Sequence, residues 1–206
     1  MSITELGYAR FGVSDLEAWR VFAEEFIGLE VHPESEGDRL YLRLDDWHHR
    51  IILDKDPADD LIGIGLRVAG KQEFRDLKQT LKEHDVSFEE GSAELARDRA
   101  VLELITLKDP AGNPLEIFHG PRIDTHLPFY PGRRMFGRFL TAEGGLGHMI
   151  VKHDNLDQTW EFYSLLGMRG GIEYQIPLPG GENMLAPKIE ARMLQEANVK
   201  KHEYVL

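Results

Sequence analysis

The stretch Thr141-Ala-Glu-Gly-Gly-Leu-Gly-His-Met-Ile-Val151 decides how this chain is read, because its core occurs twice. Leu146-Gly-His148 matches Leu6-Gly-Tyr8 at an offset of 140 residues. Leu156 matches Leu16 and Phe162 matches Phe22 at the same offset, and Gly167 matches Gly28 at 139, one residue having been lost in a helix-to-strand turn. Self-similarity carried through a whole strand–helix unit marks a repeated structure. In each copy a glycine-containing approach leads into a short apolar run, the pattern of a strand. A lone histidine on such a strand is ordinarily a hydrogen-bonded structural group. His148 is singled out because Tyr8 stands at its position in the first copy.

Working outward from the first copy, Leu6 to Val13 reads as a strand. Ser14 and Glu17 have capping-box spacing, Leu16, Trp19, Phe22 and Phe26 recur at helical spacing, and Gly28 suits the helix end. A short strand is expected near Val31. Arg39 to Leu44 and His49 to Leu53 follow as a hairpin. Asp60 to Val68 opens a second unit, with a helix from Lys71 to His84 whose apolar stripe is Phe74, Leu77 and Leu81. Ser87–Phe88, Ala100–Leu107 and Pro114–Phe118 are its further strands, and Asp109-Pro-Ala-Gly-Asn113 is a turn set by Pro and Gly. The fold class is therefore α+β, with two tandem βαβββ modules in residues 1–120. Four of the next residues, Pro121, Pro128, Pro131 and Gly132, mark 121–137 as a linker. A second domain of the same plan begins at 138, its helix stripe being Leu156, Trp160, Tyr163 and Leu166. The repeat offset would end that copy near residue 260, beyond residue 206, so 138–206 reads as a partial domain. Lys188 to Asn198 has helical composition without counterpart in the first copy.

The 206 residues carry a net charge of −12, which argues against nucleic acid and anionic membrane surfaces as partners. Cysteine is absent, excluding disulfides, thiolate ligands and a cysteine nucleophile. No apolar run is long enough to span a bilayer and no basic-then-apolar leader opens the chain, so a cytoplasmic protein is expected. Walker, G-x-S-x-G and H-E-x-x-H motifs are absent.

Taken in order, Leu6-Gly-Tyr8 with Val13-Ser-Asp-Leu-Glu-Ala-Trp-Arg20, Asp109-Pro-Ala-Gly-Asn-Pro-Leu-Glu-Ile-Phe118, Gly137-Arg-Phe-Leu-Thr141 and Gly145-Leu-Gly-His148 form a specific combination. Over residues 1–187 the chain resembles the type I extradiol ring-cleaving dioxygenases of the vicinal-oxygen-chelate superfamily, of the 2,3-dihydroxybiphenyl 1,2-dioxygenase kind. That resemblance implies a catechol-type aromatic diol and O₂ as substrates and Fe(II) as cofactor, held by two histidines and a glutamate in the C-terminal domain. It also implies assembly into a homo-oligomer. His148 matches the first histidine ligand. The second histidine, the glutamate and the acid–base histidine have no clear match, so no catalytic residue is assigned.

Ile150, two residues beyond His148, shares its strand face and is expected to line the substrate pocket. In the first copy Tyr8, Gly63 and Glu116 stand at the three ligand positions. One ligand type of three survives, so the N-terminal domain is expected to bind no metal and Glu116 to be solvated or hydrogen-bonded. His202 falls one residue from the position the offset gives for the second ligand. His48 and His49, adjacent on a strand, should face opposite ways, as should His148 and His153, and these histidines read as surface groups. Two other functions fit the incomplete ligand set: a non-catalytic small-molecule-binding module, and an inactive truncated product.

Overall fold

The computed structural model describes residues 3–141, 145–151, 153, 155–177 and 183–190. Two modules share one eight-stranded sheet. The first comprises β1 (Ile3–Val13), α1 (Leu16–Val21), β2 (Glu30–Val31), β3 (Arg39–Arg43) and β4 (Ile51–Lys55). The second comprises β5 (Leu61–Val68), α2 (Lys71–Glu83), β6 (Glu89–Glu90), α3 (Ala93–Asp98), β7 (Val101–Lys108) and β8 (Pro114–Pro121). The strand order β2-β3-β4-β1-β5-β8-β7-β6 is the same arrangement written twice, back to back. Each module pairs its first strand parallel to its last, and the antiparallel contact of β1 with β5 joins the halves. The tandem βαβββ reading of residues 1–120 describes this sheet.

Period-2 alternation sorts the side chains between two faces. Ile64, Leu66, Val68, Leu115 and Ile117 pack against Phe74, Leu77 and Leu81, the expected stripe of α2. Leu40, Leu42, Leu53 and Val13 form the corresponding core of the first module with Ala23 and Leu29. Tyr8, Ile52, Leu104 and Phe118 cluster separately with Ala96 of α3.

Several local expectations need correction. The cap of α1 is Asp15, whose carboxylate accepts from Ala18 N at 2.9 Å. Ser14 does not serve, because its own N–H is taken by Asp59. From Phe22 to Ile27 the helix winds as a π-helix, ending at Gly28 with φ +90°. In this segment Ala23 is buried while Phe22 and Phe26 are exposed, as is Trp19 in the α-helical turn before it. β6 lies at Glu89–Glu90 rather than Ser87–Phe88, and α3 fills a segment with no expected element. His48 and His49 sit in the bend before β4, not on it, so strand parity does not apply; both are buried, 3% exposed.

The proline-rich segment after β8 lies along the first domain. Trp47 and Ile123 form a β-bridge, and Asp124 N donates to Asp46 O at 2.7 Å. Arg43 Nη2 donates to Leu127 O at 2.6 Å, and Gly132 N to Leu29 O at 3.2 Å. Composition marked the segment as irregular but did not show that buried polar groups would fix it.

Beyond it come α4 (Leu156–Leu165), capped by Asn155, and the antiparallel pair β9 (Arg169–Pro177) and β10 (Asn183–Glu190). Phe162, Tyr163 and Leu166 of this region join the core of the second module, and Ile3 N donates to Leu166 O at 3.1 Å. Trp160, expected in the buried stripe, is 43% exposed, and Phe162 takes its place. Lys188 to Glu190 are strand rather than helix, because Lys188 pairs with Ile172. Residues 191–206, with His202, lie outside the described residues. No described helix is long and apolar enough to cross a membrane.

Candidate functional site

The first domain holds a buried ionic cluster on the sheet face that carries Tyr8 and Phe118. In the ladder Tyr8 lies opposite Gly65, and Gly65 opposite Glu116, so the three form one row across β1, β5 and β8. Gly63 lies opposite Arg10. Gly65 has to be bare: a Cβ there would stand 2.5 Å from the Tyr8 ring. That space lets the Tyr8 hydroxyl reach over β5 and donate to Glu116 Oε2. Arg99 Nε donates to the same oxygen at 2.8 Å, while Arg10 Nη1 and Arg99 Nη2 donate to Oε1 at 2.7 and 3.2 Å.

Burial alone would raise the Glu116 pKa. Arg99 and Arg10, aided by the Tyr8 hydroxyl, outweigh it and hold the carboxyl below its usual value. Burial first, then the Glu116 charge, pushes the Tyr8 phenol well up. Glu116 is thus hydrogen-bonded, as expected, and its neutralising charges are two guanidinium groups.

A second cluster was not anticipated. His32, His48 and Asp124 are all buried, and one ligand-type atom from each lies within 4.8 Å of the others. Two histidines and a carboxylate are donor types that suit a divalent transition metal, so the group could hold an ion. Its hydrogen bonds nevertheless assign protons to the two Nε2 atoms, which face carboxylates. Glu34 N donates to His32 Nδ1 at 3.1 Å, which leaves the proton on Nε2, directed at Asp124 Oδ2 3.1 Å away. His48 Nε2 faces the acceptor Glu34 Oε2 at 3.1 Å. Arg122 spans both carboxylates, at 2.7 Å from Asp124 Oδ1 and 2.7 Å from Glu34 Oε1. Burial lowers the pKa of both histidines, that of His48 to about 4 despite Glu34. Arg122 above all draws Glu34 down to about 2. A cation would have to displace two protons and tolerate Arg122. Sequence reasoning missed this site because its members come from three separated segments and none sits on a helix or in a strand ladder.

His148 is exposed, in a stretch without ladder bonds, and Ile150 is 87% exposed. The expected strand is absent because no described strand lies beside residues 147–151; Leu146 N is tied to Leu6 O at 3.0 Å instead. The alternation survives: Met149 and Val151 pack inward, and His148 and Ile150 face outward together. His153, expected at the surface, has a side chain only 6% exposed. Its Nδ1 contacts Thr159 Oγ1 at 2.9 Å, and its Nε2 lies 3.2 Å from Asp109 Oδ2. Among the described residues no set of three metal-ligand side chains includes His148.

A mixed sheet of paired βαβββ modules, with a histidine after the glycines that open the next unit, is the arrangement set against known proteins. The family model for the first domain of dihydroxybiphenyl dioxygenase BphC matches residues 6–55. The chain is 49% identical over 181 residues to a biphenyl-2,3-diol 1,2-dioxygenase of Sphingomonas paucimobilis, covering 88% of this chain and 60% of that protein. It is 36% identical over 179 residues to an iron-dependent extradiol dioxygenase of Rhodococcus jostii, covering 86% and 58%. A crystal structure of a catechol 2,3-dioxygenase superposes with a TM-score of 0.87 at 47% identity, covering 92% of this chain and 66% of that one. The chain is similar to extradiol ring-cleaving dioxygenases over most of its own length, and it spans about 60% of the length of the curated relatives it matches.

Proposed function

We propose that this chain serves an extradiol dioxygenase that cleaves a vicinal aromatic diol, of the biphenyl-2,3-diol or 1,2-dihydroxynaphthalene kind, with O₂. The observation that carries this reading is the 49% identity over 181 residues to a biphenyl-2,3-diol 1,2-dioxygenase. Fe(II) is the cofactor, because a relative is named for its iron dependence and His148 is one ligand of the expected type. Bound iron would supply the means of holding diol and O₂ side by side. The described residues do not complete such a centre: no set of three ligand side chains among them includes His148. No step of ring cleavage is therefore assigned to them.

Within this reading residues 1–120 are a metal-free platform, 121–137 a fixed connector, and 138–206 the start of the metal-bearing domain. His148 supplies one iron ligand, and Ile150, on the same outward face, contacts the aromatic ring. The protein works in the cytoplasm as a homo-oligomer. The exposed aromatic stack of Trp19, Phe22 and Phe26 supports assembly, since contiguous exposed apolar groups mark contact surfaces.

The test is anaerobic loading of the purified chain with Fe(II), then addition of 2,3-dihydroxybiphenyl and air. A yellow ring-cleavage product, lost in His148→Ala, supports the assignment. No iron uptake and no colour would overturn the activity for this chain.

A further inference from the structure

The hydrogen bonds around His49 lead to a ligand position inside the first domain, independent of the iron reading. The Glu34 carboxylate can only accept, so His48 Nε2 carries the proton between them. Burial keeps the His48 ring neutral, its pKa lowered to about 4, which leaves Nδ1 with a lone pair. His49 Nδ1 lies 2.9 Å from that lone pair and must donate. Burial also pushes the His49 pKa well down, so the ring is neutral and its Nε2 carries a lone pair. His49 is 3% exposed, and Nε2 has no partner among the described residues. Arg99, also 3% exposed, leaves Nη1 without an acceptor among them after its other two nitrogens reach Glu116. Both residues line one small cavity, walled by Tyr8, Trp47 and Phe118, with room for about one water-sized molecule.

A buried acceptor and a buried donor beside one cavity define the chemistry of an occupant. It must donate to His49 and accept from Arg99. A metal cation cannot accept, and it would meet the charge of Arg99. A simple anion cannot donate to a lone pair. A neutral O–H group does both, and a buried polar atom left without a partner is destabilising. We propose that the first domain holds one small neutral hydroxylic molecule, water in the resting protein, between His49 Nε2 and Arg99 Nη1. It completes a continuous path of hydrogen bonds from Glu34 through His48, His49 and Arg99 to Glu116 and Tyr8.

Two measurements on the full chain test this. A crystal structure should show a density peak within hydrogen-bond distance, about 2.7–3.2 Å, of both His49 Nε2 and Arg99 Nη1. A dry cavity, or direct contact between the two side chains, would overturn the proposal. Two-bond nitrogen–proton NMR of the histidine rings should report the proton of His49 on Nδ1 and that of His48 on Nε2. A His49 proton on Nε2 would overturn it equally. His49→Phe should remove the peak and raise the unfolding constant about tenfold or more. Should that variant not fold, the NMR assignment of the native chain still decides the question.

Discussion

The Tyr8 hydroxyl donates to the Glu116 carboxylate across 108 residues of sequence, from the first strand of one module to the last strand of the next. Tyr8 stands at the position that the internal repeat aligns with His148. The first domain neutralises the buried Glu116 carboxylate with Arg10 and Arg99. Removing different members should have unequal consequences. Tyr8→Phe leaves Glu116 with both arginines and should cost about 1 kcal/mol. Glu116→Ala leaves Arg99, its side chain 4% exposed, without its counter-charge, and should cost about 3–5 kcal/mol. Denaturant midpoints of the two variants measure the difference. Equal losses would mean that the arginines are not held by Glu116.

Gly65 carries a related prediction. Its missing side chain makes room for the Tyr8 ring, which would lie 2.5 Å from an added Cβ. Gly65→Ala should therefore destabilise by about 1–3 kcal/mol through overpacking. The penalty should shrink in a Tyr8→Ala background, because the clashing ring is then gone. A double-mutant cycle reads this coupling, and strict additivity would contradict the contact.

How much of this was legible in the sequence depends on the range of the interactions. The α2 stripe Phe74, Leu77 and Leu81 was readable because helical spacing is local and all three face the core. The Asp109–Asn113 turn was readable for the same reason: Asp109 Oδ1 caps Ala111 N and Asn113 N within four residues. The repeat singled out Tyr8 as the counterpart of His148, since alignment carries long-range information, but it did not show that Tyr8 would bond Glu116. The His32, His48 and Asp124 group left no such trace. It depends on the 121–132 segment folding back over the first module, and no period or motif encodes that return. The surface reading of His48 and His49 failed because strand parity was applied to residues that precede the strand.

Acid should test the histidine cluster. His32, His48 and His49 all have folded pKa values below the ordinary 6.5, chiefly through burial. The unfolded chain then binds protons that the folded chain refuses. Stability is thus full above pH 6.5 and is lost as pH falls from there through the folded values, near 4 for His48. The denaturant midpoint should decline between pH 6.5 and 4. Replacing His48 by Gln should flatten part of that decline. An unchanged slope would mean that His48 is not held neutral in the fold.

Asp109 ties the second region to the first. One oxygen holds the turn, and the other accepts from Tyr163 Oη at 2.9 Å and lies 3.2 Å from His153 Nε2. Tyr163→Phe removes one bond and should cost about 1 kcal/mol. Asp109→Ala removes the turn cap and strands the Tyr163 hydroxyl, so its cost should be roughly two to three times larger. Limited proteolysis should also cut faster near residues 145–155 in Asp109→Ala, and equal resistance in the two variants would count against the tie.

His148 and His48 separate chemistry from scaffold. His148 is exposed, and among the described residues no group is packed or bonded to depend on it, so His148→Ala should leave stability within about 0.5 kcal/mol of the parent. If it is an iron ligand, the same change should abolish Fe(II) retention on desalting. His48 has the opposite profile: it is buried, bonded to Glu34 and His49, and its ring centroid lies 4.0 Å from that of His32, the rings tilted by 40°. His48→Ala should lower the denaturant midpoint by an amount worth about 1–3 kcal/mol and leave Fe(II) retention unchanged. Iron lost in His48→Ala but kept in His148→Ala would reverse the assignment. The metal would then belong to the His32, His48 and Asp124 group, whose proton arrangement would have to change on binding.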